Sequence, residues 1–122
     1  MPGLTVRTES DGVSVLVLEG EHDLATAMPL REAIVEAGEA NRAVVIELSV
    51  VSFIDSTILG VILGGLRRAK EHGRGYALVI SDQPEDAVPR LLEITGLRAI
   101  FPIFFSRDLA VASAEAGCNA PA

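Results

Sequence analysis

Apolar residues along this chain fall into two kinds of pattern. Val13-Ser14-Val15-Leu16-Val17-Leu18, Ala43-Val44-Val45-Ile46 and Tyr76-Ala77-Leu78-Val79-Ile80 are apolar at nearly every position. Short continuous runs of this kind suit strands covered on both faces, as in parallel sheets packed with helices. Between them, apolar residues recur every three or four positions. Ala27, Leu30, Ile34 and Ala37 line one helix face. Thr26 is the expected N-cap, because Pro29 then falls in the first turn, and Gly38 is expected to end the helix. A second helix is predicted from Ser56 to His72. It is apolar almost all round for two turns, turns basic at Arg67, Arg68 and Lys70, and stops at Gly73. A third covers Asp86 to Thr95, with Val88, Leu91 and Leu92 inward, Pro89 near its start and Gly96 at its end.

The chain opens with strand candidates Leu4–Thr8 and Val13–Glu19, joined by Glu9-Ser10-Asp11-Gly12, and Asp-Gly is a strong hairpin signal. Ile100–Phe105 reads as a last strand, and Pro102 assigns it to a sheet edge. Ser106 can cap a final helix through Glu115. The order is β-β-α-β-α-β-α-β-α, with Ala43 to Ile80 forming one βαβ crossover. The expectation is a single α/β domain over residues 1–115, a mixed, mostly parallel sheet covered by helices, with a frayed tail over 116–122.

A chain of 122 residues, 49% hydrophobic and 22% charged, can bury a core and is not disordered. Its net charge of −7 provides no basic surface for phosphates, so no nucleic-acid partner is expected. The single cysteine, Cys118, cannot form an internal disulfide, and no Cys/His spacing suggests a metal. Leu48 to Leu66 carries one charge, Asp55, but a helix starting at Ser56 has only about 11 uncharged residues, ~16 Å against a ~30 Å hydrocarbon core. Met1 to Arg7 lacks a signal-peptide pattern. A cytoplasmic protein without a membrane partner is expected.

Chemistry concentrates in Phe53-Ile54-Asp55-Ser56-Thr57-Ile58-Leu59-Gly60. This segment lies beyond a buried strand and opens a helix, where open α/β sheets place ligand sites and where N–H groups are unpaired. Read from the residues alone, Asp55 and Ser56 fit plain helix capping, the commoner role of such a pair before an apolar helix. Glu19-Gly20-Glu21-His22-Asp23 is read as a second strand-to-helix loop on the same side, either an acidic surface loop or part of a site. Catalysis is not expected. His72 lies roughly 24 Å along the helix from Ser56, and only His22 could serve as a base. The Gly-x-Ser-x-Gly elbow, Walker loop, Gly-x-Gly-x-x-Gly and His-Glu-x-x-His are all missing. Gly60, Gly64 and Gly65 are assigned to close helix packing, and no cofactor is expected.

Over Val13 to Ser106 the sequence resembles the STAS domains, and among them the bacterial anti-sigma-factor antagonists. Leu18-Glu19-Gly20-Glu21-His22-Asp23-Leu24-Ala25-Thr26-Ala27 is similar to the family's Gly-Glu-x-Asp stretch. Val45-Ile46-Glu47-Leu48, Phe53-Ile54-Asp55-Ser56-Thr57 and Leu59-Gly60-Val61-Ile62-Leu63 resemble its phosphorylation-site strand, loop and helix. Leu91-Leu92-Glu93-Ile94-Thr95-Gly96-Leu97 with Phe101-Pro102 resembles its C-terminal part. The resemblance implies partner switching. The unphosphorylated protein binds an anti-sigma factor that is also a serine kinase and so frees the sigma factor. Phosphorylation at Ser56 breaks the complex, and a serine phosphatase resets it. Asp23, Asp55, Ser56, Thr57, Ile58 and Gly60 are the implied partner-binding residues. Ile58 departs from the family, which commonly has Gly there, and it is expected to be partly exposed beside the acceptor. Two other classes are compatible with the residues: a non-phosphorylated STAS adaptor or scaffold, and a small-ligand module binding a nucleotide.

Overall fold

The computed structural model describes residues 3–9 and 12–117. Five strands form one sheet in the order β1-β2-β3-β4-β5: β1 Leu4–Glu9, β2 Val13–His22, β3 Ala43–Ile54, β4 Gly75–Val79 and β5 Ile103–Phe104. β1 is antiparallel to β2 and the other pairs are parallel, as the element order predicts. The hairpin residues Ser10 and Asp11, and Cys118 with the remaining tail, lie outside the described residues. The helices are α1 Leu24–Ala40, α2 Ser56–Glu71, α3 Ala87–Thr95 and α4 Arg107–Gly117, the last ending two residues beyond the expected Glu115.

The unbroken apolar strands have a direct explanation. Strand side chains alternate between faces, and both faces here are covered. Leu16, Leu18, Val44, Ile46, Leu48, Tyr76, Leu78 and Ile80 pack with Leu30 and Ile34 of α1, Ile58 and Ile62 of α2, and Val88 and Leu92 of α3. Val13, Val15, Val17, Ala43, Val45, Ala77 and Val79 face Ala110 and Ala114 of α4. That second layer is thin. A Cβ at Gly75 would collide with the carbonyl of Ala114, so α4 lies almost directly on the β4 backbone. Arg107 fixes the start of α4 to the same face, its Nε and Nη2 each donating to the Glu47 carboxylate at 2.7 Å.

Four expectations change. α1 is capped by Asp23, not Thr26, so Pro29 sits well inside the helix. Its missing N–H falls at an exposed position, where water can serve the unpaired carbonyl. Gly38 does not end α1, which runs to Ala40. Ile100–Phe105 shrinks to a two-residue edge strand, because Leu97–Ala99 forms a 3-10 turn and Phe101 turns into the core. Among the three α2 glycines, only Gly65 serves close packing: a Cβ there would come within 2.5 Å of the Tyr76 hydroxyl and 2.8 Å of Ile34 Cγ2. Gly60 and Gly64 have nothing within 4 Å of such a Cβ.

Candidate functional site

β2 and β3 run parallel and end together, with His22 opposite Ile54. The next residue on each strand, Asp23 and Asp55, is a helix N-cap. Two helix starts, each a positive dipole end, therefore lie side by side at one rim of the sheet, about one inter-strand spacing (~4.8 Å) apart in the strand frame. The stretch Glu19–His22 is not a loop as the sequence suggested. It is the end of β2, with only Asp23 between strand and helix.

Each cap is built from its own sequence. The Asp23 carboxylate accepts the Ala25 N–H at 2.9 Å, and the Thr26 hydroxyl accepts the Asp23 N–H at 3.3 Å, the reciprocal pattern of a capping box. Asp55 Oδ1 accepts the Ile58 N–H at 3.0 Å. Behind the first cap, His22 is completely buried. Its Nε2–H donates to the Glu19 carbonyl at 3.1 Å, and in that tautomer Nδ1 accepts from the Thr26 hydroxyl at 3.1 Å. With both ring nitrogens engaged and no solvent access, His22 is a structural clamp, not a base for Ser56.

Because Asp55 does the capping, the Ser56 hydroxyl at the first helical position makes no hydrogen bond among the described residues. Ser56 and Thr57 are both exposed. Their backbone N–H groups belong to the unpaired first turn. Asp23, Asp55, Ser56 and Thr57 thus gather at the rim, and Gly60 lies exposed one turn further along α2. Ile58 does not join them. Its side chain is 0% exposed and belongs to the stripe Ile58, Ile62, Gly65, Ala69 that α2 buries, so its expected partial exposure is overturned and it cannot touch a docked partner. The all-apolar start of α2 concealed this orientation.

Three large apolar side chains near the rim went unnoticed in the sequence: Leu24 is 73% exposed, Met28 60% and Phe53 48%. Leu24 and Met28 fall outside the buried stripe of α1, which is the signal that could have found them. Phe53 required the structure. Val17 pairs with Glu47 but Glu19 with Val50, and Gly20 with Val51 but Glu21 with Phe53, so β3 gains one residue on β2 twice. These two bulges turn the two-residue period into three, burying Leu48, Val51 and Ile54 and exposing Ser49, Val50, Ser52 and Phe53. Among the described residues, no group of three or more His, Cys, Asp or Glu could hold a metal, and no helix is long and apolar enough to cross a membrane.

The family model described as Mlab, STAS domain matches residues 6–103. The anti-sigma-B factor antagonist of Bacillus subtilis (strain 168) is 36% identical over 86 residues, covering 70% of this chain and 76% of that protein. The anti-sigma F factor antagonist of Paenibacillus polymyxa is 35% identical over 95 residues, 76% of this chain and 79% of that one. The crystal structure of an anti-sigma factor antagonist from Mycobacterium paratuberculosis superposes with a TM-score of 0.76 at 33% identity, over 93% of this chain and 97% of that chain.

Proposed function

The chain belongs to the STAS domain family, and from that premise we propose that it is an anti-sigma-factor antagonist working by partner switching at Ser56. The unmodified rim binds an anti-sigma factor with serine-kinase activity, which transfers phosphate to Ser56, and a serine phosphatase restores the binding form. One observation carries the reading: Ser56 is exposed and unbonded at the first position of a helix whose cap is supplied by its neighbour. The hydroxyl is therefore available to a kinase without disturbing the cap.

The physical chemistry of such a switch is simple. A phosphoserine adds about −1.5 to −2 charge and three acceptor oxygens. The unpaired N–H groups of Ser56 and Thr57 and the helix dipole accommodate it, so the fold survives. Asp23 and Asp55 on the same rim place the new charge among carboxylates, on a chain already at −7. A loss of only ~3 kcal/mol of binding weakens a complex more than a hundredfold.

The test is a lysate pull-down with wild-type, Ser56→Ala and Ser56→Asp baits, followed by ATP incubation and phosphosite mapping. Ser56→Ala should retain the kinase and gain no phosphate. Ser56→Asp should bind at least tenfold more weakly while its circular dichroism stays native. Phosphate mapped to Thr57, Ser52 or Ser49 would overturn the assignment, and lost tertiary structure in Ser56→Asp would replace an electrostatic switch with a refolding one. A second reading, a non-phosphorylated STAS adaptor, is favoured by the Asp55 cap bond, which gives the Asp-Ser pair a structural role, and by Ile58 in place of the family's usual Gly. It expects no added mass with kinase and ATP, and capture of the partner by Ser56→Asp as by wild type.

A further inference from the structure

The surface between α1 and α2 holds an open groove of about 310 Å³, lined by Arg31 and Val35 on one side and by Gly60, Val61, Gly64 and Arg68 on the other. Its shape comes from two glycines that the fold itself does not require. A Cβ at Gly60 or Gly64 would meet nothing within 4 Å, unlike one at Gly65. In a helix interior, glycine is less stable than alanine, so at both positions the chain forgoes helix stability without relieving any contact of its own. The open floor suits close approach by something outside the chain.

Charge indicates what that is. The chain carries −7 overall, yet among the described residues no acidic side chain lines this groove and two arginines do. Neither guanidinium has an ion pair or hydrogen bond among the described residues. The two walls also match in spacing. Thr57, Val61, Gly64 and Arg68 on α2 recur at four, three and four residues, and Leu24 and Met28, outside the groove's lining, continue the α1 face of Arg31 and Val35 at the same spacing. Leu24 and Met28 are the exposed apolar side chains near the rim. Thr57, at the groove's upper end, is the neighbour of Ser56. From Thr57 to Arg68 is ~16 Å, about three turns of helix.

We propose that this groove docks an acidic amphipathic helix of the protein partner, apolar on one face and carrying carboxylates for Arg31 and Arg68. Side-by-side helix walls offer no open backbone for strand addition, whereas a helix can lay its apolar face between them. Guanidinium groups can then take carboxylates in charge-assisted, two-point contacts. The assignment rests on the partner-switching reading only for who supplies the helix.

The test is a titration of the full chain, followed by amide chemical shifts, with a stapled three-turn Leu/Glu peptide and a matched Leu/Lys peptide. The acidic peptide should shift Arg31, Thr57, Gly60, Gly64 and Arg68, and the basic one should not. Gly60→Leu fills the floor and improves helix propensity, so it should keep or raise the melting temperature while weakening the acidic peptide at least tenfold. Arg31→Glu with Arg68→Gln should weaken it similarly. Equal response to both peptides, shifts centred on Arg42, His72 and Arg74, or unchanged affinity in both variants would overturn the proposal. So would concentration-dependent shifts at the groove without peptide together with a doubled mass in light scattering, which would give the groove to a second copy of the chain. No kinase is present, so failure here leaves phosphorylation of Ser56 standing, and failure of that phosphorylation leaves a positive titration standing.

Discussion

Position 58 separates what a site motif suggests from what packing permits. Ile58 sits two residues from Ser56 yet is fully buried, while its backbone N–H donates to the Asp55 carboxylate. Ile58→Gly should therefore lower stability by about 3–5 kcal/mol, combining the lost burial and cavity with the helical cost of glycine. Urea denaturation measures this, and a loss below ~1.5 kcal/mol would mean that the side chain is not core. Tyr76 offers a second test. Its hydroxyl donates to the Ile62 carbonyl at 2.7 Å in the interior, and burial pushes its ionisation well above the ordinary phenol range. The unfolded chain releases this proton near pH 10 and the folded chain does not, so deprotonation favours the unfolded state. The stability Tyr76 contributes is intact below ~pH 10 and should then fall by up to about 1.4 kcal/mol per pH unit. Tyr76 is the sole tyrosine and there is no tryptophan, so phenolate absorbance should rise only together with unfolding. A normal titration in protein whose circular dichroism is still native would refute the buried hydrogen bond.

Among the elements, α4 packs through small side chains directly on the sheet backbone. It covers its sheet face with Ala110 and Ala114 and approaches β4 where Gly75 has no side chain, with Arg107 and Glu47 fastening its first turn. Gly75→Ala forces the helix outward and should cost about 1–3 kcal/mol by overpacking. Hydrogen exchange should show faster exchange at Leu109 to Ala114 with α1 and α2 still protected. Uniform protection would show that α4 adapts without strain. At the other layer, the α1 start shows how a local motif can prevail over a proline rule. The Asp23–Thr26 box satisfies helix-end donors and sets the boundary three residues before Thr26, leaving Pro29 inside on the solvent side.

Across the whole molecule, charge is arranged by the polarity of the sheet. The strand ends and loops around the Ser56 rim carry Glu19, Glu21, Asp23 and Asp55, and the loop after β4, at the same end of the sheet, adds Asp82, Glu85 and Asp86. The opposite end is mixed, with Arg42, Lys70 and Arg74 beside Glu39 and Glu71 at the C-terminal ends of α1 and α2. A cationic partner surface would be steered to the acidic rim, and a phosphate added there works against that attraction. The arginine-lined groove beside it asks for the opposite sign. The surface proposed for the partner is therefore charged in both senses, which selects one orientation of docking.

The element order, the two-sided burial of β2, β3 and β4, the stops at Gly73 and Gly96, and the place of Asp55, Ser56 and Thr57 at a helix start are all legible in the sequence, which puts Asp23 on the same side but in a loop before a cap at Thr26. These are consequences of local chemistry: strand and helix periods, capping side chains, and glycine after a helix, whose φ of 74° at Gly96 is left-handed. Which way the apolar turn of α2 faces is set by packing, because Ile58 and Leu59 are equally apolar neighbours and the sheet selects the buried stripe. Packing alone also distinguished Gly65, which makes room for Tyr76, from Gly60 and Gly64, which face open space. The two bulges of β3 lay beyond any periodic reading, since an extra residue is defined only against the partner strand it slips past. Local signals set where elements begin and end, whereas the direction of a side chain is fixed by what the rest of the chain packs against it.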